Sequence, residues 1–382
     1  MLNRTIRSMF VAVAATTTMF VGPVSTAGAN PAQGDVLQTV TGLGSSPTRV
    51  AFDGTHLWVL INGPSPSVQE VSTSGTLMSS VALTQLEPSD IVANADGVYV
   101  VDGTDLVVID PSSATITRSI DVAGANVAGA AALEGSNVWV TYATQTASFA
   151  VKVDPTTGSV GTSVAVGNQP ANAFAAGGYL FVSNYQDATI TQIDTSSNAV
   201  VRTITANSFP SGDAPYGLYS DGTDVWVADN GDGDGHTVTE YDVATGAVVR
   251  VITVQPSPRL LTSDSCNIWV SEQGNNSVDA FDATSGVIPA GSPYVVGTAP
   301  EGIVYDSVDS AVWVVNSQEK SLTELAAPND QCAKTTVTST TTVTLPFTGV
   351  NTSGLLWAIG VLGTLGCALL LLSRRRGSTT RG

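Results

Sequence analysis

The segment Pro170–Ala206 reads PANAFAAGGYLFVSNYQDATITQIDTSSNAVVRTITA. Four short apolar runs, Ala171–Ala175, Tyr179–Ser183, Ile190–Ile193 and Val200–Thr205, are parted by Gly177-Gly178, Asn184–Asp187 and Asp194–Asn198. Runs of this length, rich in β-branched residues and partly alternating, read as strands, and the small polar breaks suit tight turns between antiparallel neighbours. Four strands in about 40 residues make a meander, which alone has two open edges and a face it cannot cover. It needs neighbours of its own kind.

The chain supplies them. An aromatic-Val pair recurs at Trp58-Val59, Tyr99-Val100, Trp139-Val140, Phe181-Val182, Trp226-Val227, Trp269-Val270 and Trp313-Val314, at spacings of 41, 40, 42, 45, 43 and 44. A proline opens the first strand of six copies, at Pro47, Pro88, Pro170, Pro215, Pro258 and Pro300; the copy at Val127–Ala132 lacks it. Asp-Gly turns precede several aromatic strands, and Asp110–Ala114, Asp154–Gly158, Asp194–Asn198, Asp242–Gly246 and Asp282–Gly286 join third to fourth strands. Gly or Asn closes four of those five turns, which suits a left-handed position. Seven four-stranded units at this period predict an all-β, seven-bladed β-propeller over residues 34–328. The seventh copy lacks a last strand, and Asp35–Gly42 (DVLQTVTG) resembles the outer strands of other copies, so the N-terminal strand is expected to complete the last blade and close the ring.

Phe181–Ile204 resembles the YVTN-type propeller repeat, and the Trp226–Val254 and Trp269–Val287 copies resemble it more loosely. The name-giving tetrapeptide appears here as Phe181-Val182-Ser183-Asn184 and Trp313-Val314-Val315-Asn316. The resemblance implies the fold and leaves function open, because this fold hosts unrelated activities.

The two ends carry different signals. In residues 1–29, Arg4 and Arg7 precede a largely apolar stretch, Met9–Val24, and Ala27-Gly28-Ala29 forms an A-x-A cleavage site, the pattern of a secretory signal peptide. At the other end, Ala326–Thr344 turns rich in Thr and Ser. Residues 329–344 read as an extended tether and a candidate for O-glycosylation. Leu345-Pro346-Phe347-Thr348-Gly349 follows, then Leu355–Leu372 without a charge, then a basic tail over residues 373–382 containing Arg374-Arg375-Arg376 and Arg381. Residues 355–372 are long enough for a transmembrane helix in the precursor, and the arginines would hold the tail in the cytoplasm. This tripartite end resembles the LPxTG cell-wall sorting signal of Gram-positive bacteria. The resemblance implies that a sortase cysteine attacks the Thr348 carbonyl and cleaves the Thr348–Gly349 bond. A peptidoglycan-precursor amine then resolves the acyl-enzyme. Leu345, Pro346, Thr348 and Gly349 are thus the anchoring residues, sortase and peptidoglycan the partners, and the cell wall the location.

Charge restricts what else the chain contacts. All 32 acidic residues, but only eight of the 14 basic ones, lie between Ala29 and Gly349, which gives that part a net −24. So acidic a surface repels nucleic acid and anionic membranes.

The chemistry-bearing residues are few. The recurring aromatics read as seam-filling core. His56 and His236 are the chain's two histidines, and HExxH and GxSxG motifs are absent. The period is shared with propeller lyases of the virginiamycin B type, which use a histidine-dependent site, but their Trp-Phe-Thr-Glu strand pattern is missing here. Asp229, Asp232 and Asp234 alternate on a Gly-rich loop and have the spacing for Ca²⁺, without the distal Glu of an EF-hand; the bland reading is a solvated hairpin loop with no cofactor. Cys266 and Cys332 are the cysteines of the exported portion, and an oxidising exterior favours their pairing over two free thiols. Such a bridge would contribute about 4 kcal/mol by loop entropy. Arg49, Asp90, Asn172, Tyr216, Arg259 and Glu301, beside the blade-opening prolines, are expected to approach the channel mouth as a ligand funnel.

Three functions fit this inventory. The first is a wall-anchored binding or adhesion module for an extracellular protein or glycan. The second is an extracellular lyase or lactonase acting at the funnel, and the third a structural domain. A metal-dependent enzyme predicts carboxylates converging on an ion at the funnel; a binding module does not.

Overall fold

The computed structural model describes residues 31–85, 87–122, 127–205 and 214–327, with only the backbone at 127, 128 and 232. All lie in the first of two compact units; the second, Lys334–Gly382, lies wholly outside them. The sorting motif, the apolar segment 355–372, the tether, Cys332 and residues 1–29 are therefore outside the described residues. Within them, no helix is long and apolar enough to cross a membrane.

The described chain is a seven-bladed β-propeller. The opening segment forms one blade from Pro170–Ala176, Tyr179–Asn184, Thr189–Asp194 and Ala199–Ile204, paired in sequence order. Six further antiparallel sheets repeat it. The innermost strands are Ser46–Phe52, Asp90–Asn94, Val127–Glu134, Pro170–Ala176, Pro215–Ser220, Pro258–Ser263 and Pro300–Asp306, in blades 1 to 7. Each packs beside the next, and the last returns to the first. Val36–Thr41 pairs antiparallel with Ser321–Ala326 as the outer strand of blade 7, so the N-terminal strand closes the ring as expected.

Seven hydrophobic clusters lie one to each seam between neighbouring blades. The repeat aromatic of each blade fills the seam toward the following one: Trp58 between blades 1 and 2, Trp139 between 3 and 4, Trp313 between 7 and 1. All seven aromatics are buried. A ring of this size loses about 3–5 kcal/mol when cut back to Ala in a packed core. Three indoles also serve as turn fasteners, because their Nε1–H groups donate to a carboxylate five residues upstream: Trp58 to Asp53 at 2.7 Å, Trp139 to Glu134 at 2.9 Å and Trp269 to Asp264 at 2.9 Å.

The outer rim carries a second repeated device. Arg118, Arg202 and Arg250 project from outer strands and donate to turn carbonyls of the following blade: Thr156 and Thr157, Ala244, and Thr284. At the closing junction Gln38 takes this place, donating to the Thr73 carbonyl and to Glu324.

Two blades depart from four full strands. The outer strand of blade 3 is split into Ser159–Val160 and Val164–Val166, both on Ser148–Asp154, around a break beginning at Gly161. In blade 6 it shrinks to Tyr294–Val295. Pro289 and Pro293 interrupt the approach there, and neither has an N–H to give a ladder.

Candidate functional site

A register shift interrupts six of the seven inner strands: five follow the blade-opening proline, at Pro47/Arg49, Pro170/Asn172, Pro215/Leu218, Pro258/Leu261 and Pro300/Ile303, and the sixth, Ala128/Ala131, falls in the blade without one. A bulge turns its extra residues out of the pleat alternation and re-aims them. In blades 5, 6 and 7 those residues include Tyr216, Arg259 and Glu301. Gly217 and Gly302 make room for this: a Cβ on Gly217 would lie 2.2 Å from the Arg259 carbonyl oxygen, and one on Gly302 2.8 Å from Arg49 Cα. Side-chain hydroxyls fix the bulges from neighbouring blades. Ser183 Oγ donates to the Tyr216 carbonyl at 2.6 Å and Ser271 Oγ to the Glu301 carbonyl at 2.7 Å.

Five of the six expected funnel residues meet in one buried network. Arg49 Nη1 donates to Glu301 Oε1 at 2.6 Å, its Nη2 donates to the Tyr216 hydroxyl at 3.2 Å, and its Nε lies 3.7 Å from Asp90 Oδ1. Arg259 Nη2 donates to the same Glu301 oxygen at 3.3 Å, and its guanidinium lies 4.2 Å over the Tyr216 ring. Asp90 Oδ2 in turn accepts the Ala131 N–H at 2.9 Å. Arg49 therefore ties blade 1 to blades 2, 5 and 7, reaching across the channel, and the network forms a plug at the end where the inner strands begin. Asn172, the sixth residue, stays outside it, its Oδ1 accepting the Leu218 N–H at 3.0 Å across the seam to blade 5.

The two carboxyls of the plug are pushed in opposite directions. Burial raises Glu301, but the adjacent Arg49 and Arg259 charges outweigh it and hold the group below its ordinary value. For Asp90 burial prevails over the attraction of Arg49 and the backbone donors, and its pKa is raised. Glu301 and Asp90 do converge on a cation, and that cation is the Arg49 guanidinium.

Beyond the plug, toward the ends of the inner strands, the channel opens into a cavity of about 510 Å³ to which all seven blades contribute. Its wall begins one residue after Arg49 and one after Asp90. Phe52, Val92, Leu133, Phe174, Tyr219 and Tyr305 are among its lining side chains, and none of the lining residues is charged. Phe174 and Tyr219 pack with ring centroids 5.0 Å apart.

Of the other candidates, Asp229 ends a strand (Asp224–Asp229) and is buried, with its Oδ2 accepting the hydroxyls of Thr237 and Thr239. The chain then makes a 3₁₀ turn over Gly231–Gly233. Asp234 is exposed, and the Asp232 side chain is outside the described residues. Among the described residues no group of three or more His, Cys, Asp or Glu is placed to hold a metal. His56 Nδ1 lies 3.3 Å from Glu70 Oε1, while Glu70 Oε2 accepts the Ser79 hydroxyl. Cys266 is disulfide-bonded, and Cys332, its expected partner, is outside the described residues. Sequence reasoning missed Ser183 and Ser271, although the hydroxyl two residues after the repeat aromatic was a legible signal. It also missed Tyr185, which meets Tyr216 edge-on at 6.2 Å beside the plug.

No protein-family model matches the chain, and no curated protein sequence matches it. Solved structures do match its architecture. A streptogramin B lyase structure has a TM-score of 0.61 at 14% identity, over 76% of this chain and 97% of that one. A chain of Kuenenia stuttgartiensis hydrazine synthase has a TM-score of 0.63 at 14% identity, over 75% and 97%. The Pan2 WD40 domain of Neurospora crassa has 0.59 at 11%, over 75% and 90%. At these identities the likeness is one of fold.

Proposed function

We propose that this chain is an exported surface protein of a Gram-positive bacterium, joined through Thr348 to peptidoglycan by a sortase, whose propeller is a binding or adhesion module for an extracellular protein or glycan. The observation that carries the reading is the order of signals at the C-terminal end: Leu345–Gly349, then Leu355–Leu372 without a charge, then Arg374-Arg375-Arg376. A pentapeptide alone recurs by chance. The apolar span and basic stop behind it are what a stalled sortase substrate requires, and residues 1–29 supply the export that must precede it.

The binding part of the reading is supported by the face bearing the plug. Tyr185 and Tyr216 are half-exposed there, beside the partly exposed Arg259. Ring faces next to fixed hydrogen-bonding groups suit a sugar or a protein side chain. The cysteine pair Cys266–Cys332 belongs to the same proposal, as a tie between blade 6 and the start of the tether.

Thr348→Ala tests the anchor. The variant is expected to leave the muramidase-released wall fraction and accumulate in membrane and medium. Wall-linked protein at the wild-type level would overturn the sorting reading.

A further inference from the structure

The two ends of the channel are chemically unlike. At one end the Arg49–Glu301–Tyr216 contacts cross the opening, and at the other the cavity of about 510 Å³ remains. We infer that this blind cavity is a small-molecule site for a flat aromatic ligand that carries no negative charge, entered from the face where the inner strands end. The inference rests on the reading of the propeller as a binding module and adds to it a site distinct from the outer surface that would meet a protein or glycan.

Three observations define the ligand. Size comes first: the volume lies within the range of about 300–1,000 Å³ typical of ligand pockets. Next is the lining, in which Phe52, Phe174, Tyr219 and Tyr305 offer ring surface from four different blades while no ionised group offers a counter-charge. An anion or a strongly hydrated sugar phosphate would lose its water there without compensation. A flat ring loses little, because its faces are apolar.

The last observation is the field at the entrance. In each blade the turn after the inner strand lies on the entry face, and those turns carry Asp53, Asp96, Asp221, Asp264 and Asp306. Asp96 and Asp221 are exposed there, whereas Asp53, Asp264 and Asp306 are buried at their turns, where they accept backbone N–H bonds. Acidic turns on the entry face raise the local concentration of neutral and cationic molecules relative to anions. The cavity defines the site, and these turns select only the sign of charge.

The test uses the full-length chain and two planar dyes of opposite charge, thioflavin T (a cation) and 1-anilinonaphthalene-8-sulfonate (an anion). Thioflavin T fluorescence is expected to rise saturably with the protein, with at least tenfold weaker binding of the anion. Ala175→Trp and Ala93→Trp add bulk to the cavity lining from two different blades and leave the acidic entry-face turns and the C-terminal segment unchanged. Each is expected to weaken thioflavin T binding tenfold or more, with far-ultraviolet circular dichroism and the melting midpoint confirming the fold; the variant that stays folded decides the matter. Absence of saturable binding, undiminished binding in a folded Trp variant, or equal binding of the anion would each overturn the inference. The outcome is independent of wall anchoring, since Thr348→Ala leaves the channel untouched.

Discussion

Glu272 and Asp279 are a buried pair in blade 6, with side chains close enough to share a proton. The Gln255 N–H donates to both, at 2.9 and 3.2 Å, and Ser277 Oγ donates to Glu272 Oε2 at 2.7 Å. Burial first, and then the neighbouring Asp279, push Glu272 from 4.5 up to about 9. The folded state therefore holds a proton that the unfolded chain releases near pH 4.5. Its contribution to stability is complete below that pH and is lost as pH rises through about 9. The slope is at most about 1.4 kcal/mol per pH unit. The exposed turn aspartate Asp194 behaves oppositely: hydrogen bonds from Ser196 and Ser197 hold it down to about 2, and its contribution vanishes as the solution is made acid. Glu272→Gln puts a permanent N–H donor where the shared proton was. Urea midpoints of the wild type should fall between pH 5 and pH 9, and those of Glu272→Gln should fall markedly less. Parallel pH profiles would show that the pair carries no linked proton.

At the scale of elements, the ring depends on a junction made by the chain's first described strand. Val36–Thr41 covers the edge of Ser321–Ala326, which would otherwise expose a row of unpaired backbone groups. Val40 is the strand's anchor. It is buried with Leu43 and Ile61 of the first blade's side and Trp313 and Leu322 of the seventh. The rest of the strand is largely exposed, with Val36 and Leu37 at 52% and 43%. One side chain thus does most of the apolar fastening, helped by Gln38. Val40→Ala should cost about 2 kcal/mol, the order of a buried aliphatic truncation. Its local signature is faster amide exchange in Ser321–Ala326 than in the equivalent third strand of blade 4, Thr189–Asp194. Equal protection in both strands would mean that the closure is not the weak junction.

Across the whole molecule, the periodic features were legible and the aperiodic ones were not. Seven aromatic slots at near-constant spacing stated the blade number, because each seam needs one large ring and the same position in every blade supplies it. The missing strand of blade 7 and the unassigned DVLQTVTG stated the closure, because strands must be accounted for in fours. Five of the six residues picked out beside the blade-opening prolines contact one another, as an ion-pair network. Its chemistry was hidden, because a bulge leaves no mark in hydrophobic periodicity and nothing local says that Arg49 reaches Tyr216, 167 positions away. The open apolar end was hidden for a related reason. Phe52, Phe174 and Tyr305 belong to no motif, and only the closed circle shows that their edges border a space. The plug is therefore the place where the ring is fastened across its axis as well as around its rim. Removing one partner of a buried ion pair strands the other and typically costs about 3–5 kcal/mol, whereas replacing both with apolar groups can be close to neutral. Glu301→Leu and Arg49→Met should each lower the unfolding free energy by about 3 kcal/mol or more. The double variant should fall short of their sum by about 2 kcal/mol, because contacting residues do not add. Denaturant unfolding of the four proteins gives the cycle directly. Strict additivity would mean that the 2.6 Å contact holds no coupling and that the blades are joined at their seams alone.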